Sequence, residues 1–246
     1  MMSLVLNRTP APMLLGTMAD ATNRLVDEIT YKKAAEAADY ATQSAILGPF
    51  FRHDHPIREK GSTITFDTPE DAQVTYMHGV VTDAVSKKPL PKATIDVWQA
   101  STNGLYEQQD EKQVDHNLRG KFVTDENGEY AFYCIRPTPY PIPFDGPAGK
   151  LLQLLDRHPY RPAHIHLIVM IDGYKPITTQ IFDKDSKYLD DDSVFAVKDS
   201  LVVEFVPRQD DPQAKFELKY DIQMAPNNAK ESTGTVLSGS GAISNP

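Results

Sequence analysis

Arg161-Pro162-Ala163-His164-Ile165-His166 runs without a break into Leu167-Ile168-Val169-Met170-Ile171, and Asp172-Gly173 closes the run. An apolar, β-branched stretch entered from a proline-stiffened loop and ended by a turn pair reads as a buried strand. Side chains two apart on a strand share a face, so the rings of His164 and His166 sit roughly 6–7 Å apart along the backbone and can converge on one point. A single buried histidine is most simply a satisfied core residue. Two at i and i+2 at the mouth of an apolar strand each bring polar nitrogens that need partners, which leaves a metal site and a hydrogen-bonded core pair both open. Any further ligands have to come from elsewhere in the chain.

Outward from this strand, the spacing of Met18, Ala21, Leu25, Val26 and Ile29 predicts an amphipathic helix near the front. An alanine-rich continuation runs as far as Ala45, before Gly48-Pro49 ends any helix. Beyond Pro49 the texture is that of short strands. They are expected at Val74–Val81, Ala93–Trp98, Arg119–Thr124, Glu129–Ile135, Lys175–Phe182 and Ser200–Val206, and in the alternating run Phe216, Leu218, Tyr220, Ile222, Met224. Asp125-Glu126-Asn127-Gly128 reads as a hairpin turn between two of them. Such spacing predicts a mainly β protein with a β-sandwich or barrel core. The expected organisation is an N-terminal helical and linker segment over 1–47, a β-sandwich domain over 48–225 and an unstructured tail over 226–246.

The 246 residues carry a net charge of -9, which argues against a nucleic-acid or anionic-membrane partner and for a small-molecule role. Cys134 is the single cysteine, so no internal disulfide can form. No signal-like segment opens the chain and no apolar run is long enough to span a bilayer, so the expected compartment is the cytoplasm.

Two tyrosines stand where packing alone does not call for them. Tyr106 lies in a loop rich in Asn and Gly beyond Trp98, and Tyr140 is held between Pro139 and Pro141. Each alone is readily explained as an amphipathic residue at a loop–core boundary. Taken together, Gly79-Val80-Val81-Thr82-Asp83, Ile95-Asp96-Val97-Trp98-Gln99-Ala100, Gly104-Leu105-Tyr106, Thr124–Tyr130, Pro139-Tyr140-Pro141-Ile142-Pro143, Asp145-Gly146-Pro147, Arg157–His166 and Thr178-Thr179-Gln180 resemble the intradiol ring-cleavage dioxygenases over roughly residues 46–206.

That resemblance implies a non-haem Fe(III) held by Tyr106, Tyr140, His164 and His166. The donor set suits the metal, because phenolate is a hard anionic ligand that favours the ferric state and imidazole binds iron in either. It further implies that a catechol-type diol binds at the metal and is opened by O2 to a cis,cis-muconate-type product. Tyr140 would serve as the departing ligand and general base, with Arg161 stabilising negative charge on the ring and Gln180 close to the arginine or a water. The pocket wall is expected from Leu47, Gly48, Pro49, Phe50, Ile142 and Pro143, whose segments are most similar to hydroxyquinol-cleaving members, with catechol and chlorocatechol as alternatives. Family members form homodimers through a longer N-terminal helical region; with about 45 residues before Gly48, a shortened front is expected here. Trp98, Cys134 and His158 read as packing or loop residues, and His53, His55, His78 and His116 have no motif that makes them ligands. Two other classes stay open on residues alone: a transthyretin-like binding module without catalysis, and a zinc hydrolase using the histidine pair. Metal content separates all three.

Overall fold

The computed structural model describes residues 41–227. Its centre is a pair of five-stranded sheets. In the first, β1 (Val74–Asp83) is antiparallel to β4 (Glu129–Ile135) on one side. Along its other side run β11 (Phe216–Lys219) and then β12 (Ile222–Met224), both parallel to it, with β10 (Val206–Pro207) beyond β11. The second has the order β3 (Arg119–Val123), β2 (Thr94–Trp98), β7 (His164–Met170), β8 (Ile177–Asp183), β9 (Val202–Val203). A separate two-stranded ribbon pairs β5 (Tyr140–Pro141) with β6 (Tyr160–Arg161). Among the described residues no helix is long and apolar enough to cross a membrane.

Period-two alternation sets the layers. Met77 and Val81 of β1, Phe132 and Cys134 of β4, and Leu218 and Ile222 meet Ile95, Val97, Ile165, Leu167, Val169 and Ile181 in one buried core between the sheets. Burying each such aliphatic side chain contributes about 1.5–3 kcal/mol. The other face of the second sheet is covered too, and there Trp98 and Ile168 form a smaller cluster with Ala100, Tyr106 and Tyr140, backed by Phe50 and Phe51. Strand β7 is therefore buried on both faces, as its unbroken apolar run predicts. Its odd-numbered residues point into the sandwich, and His164 and His166 point away from it.

Several expectations need correction. Asp125–Gly128 is a tight turn, with Gly128 N–H donating to Asp125 O at 2.9 Å, but it does not make a hairpin. Strand β3 pairs with β2 in one sheet and β4 with β1 in the other, so the turn is a corner between layers. Each strand is paired elsewhere, β3 along five residues of β2 and β4 along seven of β1, and the turn itself is docked on β1 through Val81 N–H to Gly128 O at 2.8 Å. Gly128 has φ +72°, and a Cβ there would stand 2.7 Å from Val81 O. Gly128→Ala is expected to cost about 1–3 kcal/mol, from left-handed strain and that clash, and to lower the urea midpoint.

The expected strand over 200–206 is divided between β9 and β10, in different sheets. The alternating run near the end is interrupted at Tyr220–Asp221, where Tyr220 N–H bonds to His78 O and Asp221 Oδ1 accepts from Val80 N–H. Alternation survives the break, with Leu218, Tyr220, Ile222 and Met224 all buried. One short helix, α1 (Pro147–Leu154), was not anticipated; Pro147 opens it, and only Gly149 and Leu152 are buried, so it carries little periodic signal. Residues 41–47 form no helix and lie along the second sheet, with Ala45 N–H bonded to Thr178 O at 2.8 Å. The amphipathic segment at 17–40 and the tail from 228 lie outside the described residues.

Candidate metal centre

The centre is built on the outward face of the second sheet, where a strand supplies two side chains and loops bring the rest over it. His164 and His166 come from β7, two apart and on one face. Tyr106 opens the short 3-10 turn Glu107–Gln109 beyond β2, with its N–H bonded to Gln109 Oε1 at 3.1 Å. Tyr140 is the first residue of β5 and faces Arg161 across the β5–β6 ribbon. All four side chains are buried.

Their polar atoms close a ring. Tyr106 Oη to Tyr140 Oη is 3.2 Å, Tyr140 Oη to His164 Nε2 is 3.3 Å, His164 Nε2 to His166 Nε2 is 3.2 Å, and His166 Nε2 to Tyr106 Oη is 3.1 Å. These are the separations of donors that each stand about 2.0–2.2 Å from a shared ion.

Proton counting shows what such a ring lacks. His164 Nδ1 lies 2.7 Å from the Pro162 carbonyl, so it carries the hydrogen and leaves Nε2 an unprotonated lone pair facing inward, with Arg161 Nη1 3.1 Å away as its donor outside the ring. Two phenol hydrogens, plus one if His166 is protonated on Nε2, cannot satisfy all four edges. His166 Nδ1 has no hydrogen-bond partner either. A cation accepts all four lone pairs at once, so the residues present fit a metal ion.

Electrostatics agree. Burial, then the neighbouring Arg161, holds His164 well below the usual imidazole range. Burial, then His164 and Arg161, does the same to His166, and burial, then Tyr140, pushes the Tyr106 phenol well above its ordinary value. Neutral imidazoles are what a metal requires, and the phenol needs a cation before it ionises. In the metal-free chain, unfolding lets both rings take up protons below the ordinary value of 6.5 that the folded state refuses. The unfolded state then binds more protons, so stability is complete above that pH and falls as the solution is acidified through it. Urea midpoints of iron-stripped protein are expected to decline below pH ~6.5; a flat profile would contradict this.

Around the ring, Trp98 stacks flat on His166, centroids 4.7 Å apart and planes 8° apart. Phe50 stacks on Tyr106 at 4.5 Å. Gly48 has φ +75°, and a Cβ there would meet His166 Cε1 at 3.1 Å. Gly48 and Phe50 thus lie against the donors, whereas Leu47, Pro49 and Pro143 are exposed and Ile142 is half-buried.

Arg161 Nη1 lies 3.1 Å from His164 Nε2, and its Nη2 donates to Gln180 Oε1 at 2.7 Å. Gln180, opposite His166 in the β7–β8 register, passes its own Nε2–H to Ile46 O at 2.7 Å. The carboxylate facing Arg161 is Asp192, with Oδ1 3.3 Å from Nε. Burial works against the guanidinium charge, but Asp192 and Tyr140 hold Arg161 above its ordinary value. Sequence reasoning missed Asp192. It is the last of Asp190-Asp191-Asp192, a run that reads as solvated, and only folding turns it inward to accept from Arg161 and from Ala196 N–H.

Residues 46–226 match the family described as Dioxygenase. The chain is 50% identical over 201 residues to the intradiol ring-cleavage dioxygenase prcA of Aspergillus niger, covering 82% of this chain and 64% of that protein. It is 45% identical over 208 residues to the catechol 1,2-dioxygenase of Candida albicans, covering 82% and 67%. The solved hydroxyquinol 1,2-dioxygenase of Pseudomonas putida DLL-E4 superposes with a TM-score of 0.75 at 34% identity, over 87% of this chain and 75% of that one. The chain thus spans about two thirds of the length of these curated relatives, just under that for the Aspergillus protein. With the sandwich, the family match and this degree of identity in hand, the chain belongs to the intradiol ring-cleavage dioxygenases.

Proposed function

We propose that the protein cleaves a vicinal aromatic diol between its two hydroxyl-bearing carbons with O2, at a non-haem Fe(III) held by Tyr106, Tyr140, His164 and His166, within a catalytic domain over residues 48–225. The observation that carries the reading is the closed ring of two phenol oxygens and two imidazole nitrogens with edges of 3.1–3.3 Å. Among the described residues no group of three or more His, Cys, Asp or Glu is placed to hold an ion, which speaks against a zinc hydrolase.

When bound, ferric iron supplies a Lewis-acidic point that a diolate can chelate and that draws electron density from the ring. The chain does the rest. Tyr140, on a two-residue ribbon beside His164, takes a diol proton at Oη as general base. Arg161, held by Asp192 and Gln180, directs Nη1 into the centre, where its charge offsets negative charge developing on the ring. Gly48 leaves room beside His166, and Phe50 walls the same side. Addition of both oxygen atoms to the diol gives a dicarboxylate of the cis,cis-muconate type, with no external reductant.

Among diols we favour hydroxyquinol, because the segments at 46–50 and 140–147 resemble hydroxyquinol-cleaving members most; catechol and chlorocatechol are the alternatives. Relatives named for hydroxyquinol and for catechol lie at similar distances, so names do not choose between them. The test is O2 uptake by iron-loaded protein with hydroxyquinol and catechol side by side. Faster uptake with hydroxyquinol supports the preference. Uptake with neither diol, by protein that holds iron, would overturn the reading.

A further inference from the structure

Behind Tyr106 lies a group of buried charges that the reaction just described does not use. Arg119, the first residue of β3, is fully buried. Its Nε donates to Glu107 Oε2 at 2.6 Å, Nη2 to Gln108 Oε1 at 3.0 Å and Nη1 to the Phe50 carbonyl at 2.6 Å, and Nη1 also lies 3.1 Å from His55 Nε2. His55 is paired through Nδ1 with Asp96 of β2, and both are buried. The second oxygen of Glu107 accepts from Arg52 at 2.9 Å. The charged carbon of Arg119 stands over the Tyr106 ring, 5.7 Å from its centre. A packed apolar side chain would fill this space at lower desolvation cost, so the charge calls for a reason beyond stability.

The partners supply one. Glu107 and Gln108 directly follow Tyr106, and Phe50 is the residue whose ring stacks on Tyr106. Phe50 also lies two residues beyond Gly48, which abuts His166, and Asp96 lies two residues before Trp98, which stacks on His166. One guanidinium therefore joins the turn that carries a phenol donor, the loop that walls it and the strand that backs an imidazole donor. At this distance in a dry interior, its charge also stabilises the anionic form of the phenol through space.

We propose that Arg119 is a positioning residue of the metal centre. It fixes Tyr106 against the Gly48–Phe50 wall, and its charge, offset by Glu107, sets how strongly the Tyr106 oxygen donates to the metal. The inference rests on the ferric reading above.

The test compares iron-loaded wild type, Arg119→Met and Glu107→Gln by visible absorption, iron affinity, KM and kcat, with the spectra repeated in a Tyr140→Phe background where Tyr106 is the remaining phenolate. A phenolate-to-iron band moves an electron off the phenolate, so its energy rises when nearby positive charge stabilises that anion. Arg119→Met is expected to move the band to longer wavelength. Glu107→Gln, which leaves the guanidinium without its offsetting carboxylate, is expected to move it to shorter wavelength. Each is expected to lower iron affinity or kcat/KM about 10–100-fold, as loss of an outer partner does. Opposite shifts support the proposal, because a merely structural ion pair predicts lost stability in both variants and no ordered change of colour. A stationary band, or shifts of the same sign, would overturn it. Should Arg119→Met fail to fold, the sign of the Glu107→Gln shift decides alone. Wild-type protein that binds iron without any such band would remove the ferric-phenolate reading itself, a failure distinct from a band that does not move.

Discussion

His164→Ala is expected to leave the purified protein almost free of iron and without measurable ring-cleaving activity. His164 is the donor whose direction is most firmly set. Its Nδ1–H is tied to the Pro162 carbonyl at 2.7 Å, which turns Nε2 toward Tyr140 and His166. Deleting it removes one of four donors and takes from Arg161 Nη1 its neighbour at 3.1 Å. Loss of an outer partner already costs roughly 10–100-fold in metal affinity, and loss of a ligand exceeds that. The sandwich is expected to remain, because Ile165, Leu167 and Val169 occupy the opposite face of the strand. Iron content and far-ultraviolet circular dichroism together check both halves. Equimolar iron in a folded variant would show that His164 is not a ligand.

Tyr140→Phe is expected to act differently, keeping much of the iron and losing turnover. The ring still fills its place beside Tyr106, where the two rings meet edge-on at 5.6 Å. Only the oxygen 3.3 Å from His164 Nε2 is removed. With it would go the proposed base for a diol proton, a function worth about 10²–10⁴-fold in kcat, and one of the two phenolates that the ferric proposal makes responsible for visible colour. The expected signature is a sharp fall in kcat with an altered absorption band and iron largely retained. Unchanged turnover and unchanged colour would refute the role of Tyr140.

The sandwich was legible because its strongest signals are local. Alternation of buried and more exposed residues in β1 and along 216–224 needs only period two, β7 shows itself as an unbroken apolar run, and His164 and His166 are read from that strand. What stayed hidden depends on partners distant in the chain. The turn at 125–128 carries every local mark of a hairpin, yet β3 and β4 part to separate sheets because β2 and β1 offer them pairing that no local window contains. Asp192 and Arg119 are likewise invisible to spacing, since a charged residue in a polar stretch reads as solvated until the fold encloses it. Tyr106 and Tyr140 fall between these extremes. The rigidity of their loops shows in the sequence, but their convergence rests on the family resemblance, and only coordinates bring their oxygens to 3.2 Å.

The parallel pairing of β1 with residues 216–224 bears on how the molecule is made. Lys219 lies 141 positions beyond its register partner His78, so one flank of that strand gains its neighbour only after almost all of the described chain has been synthesised. Contacts of such long sequence separation are slow to form and pay their loop-closure entropy before they return any stability. Closure of the first sheet therefore waits until late in synthesis, and the core between the two sheets is among the last parts of the fold to be completed.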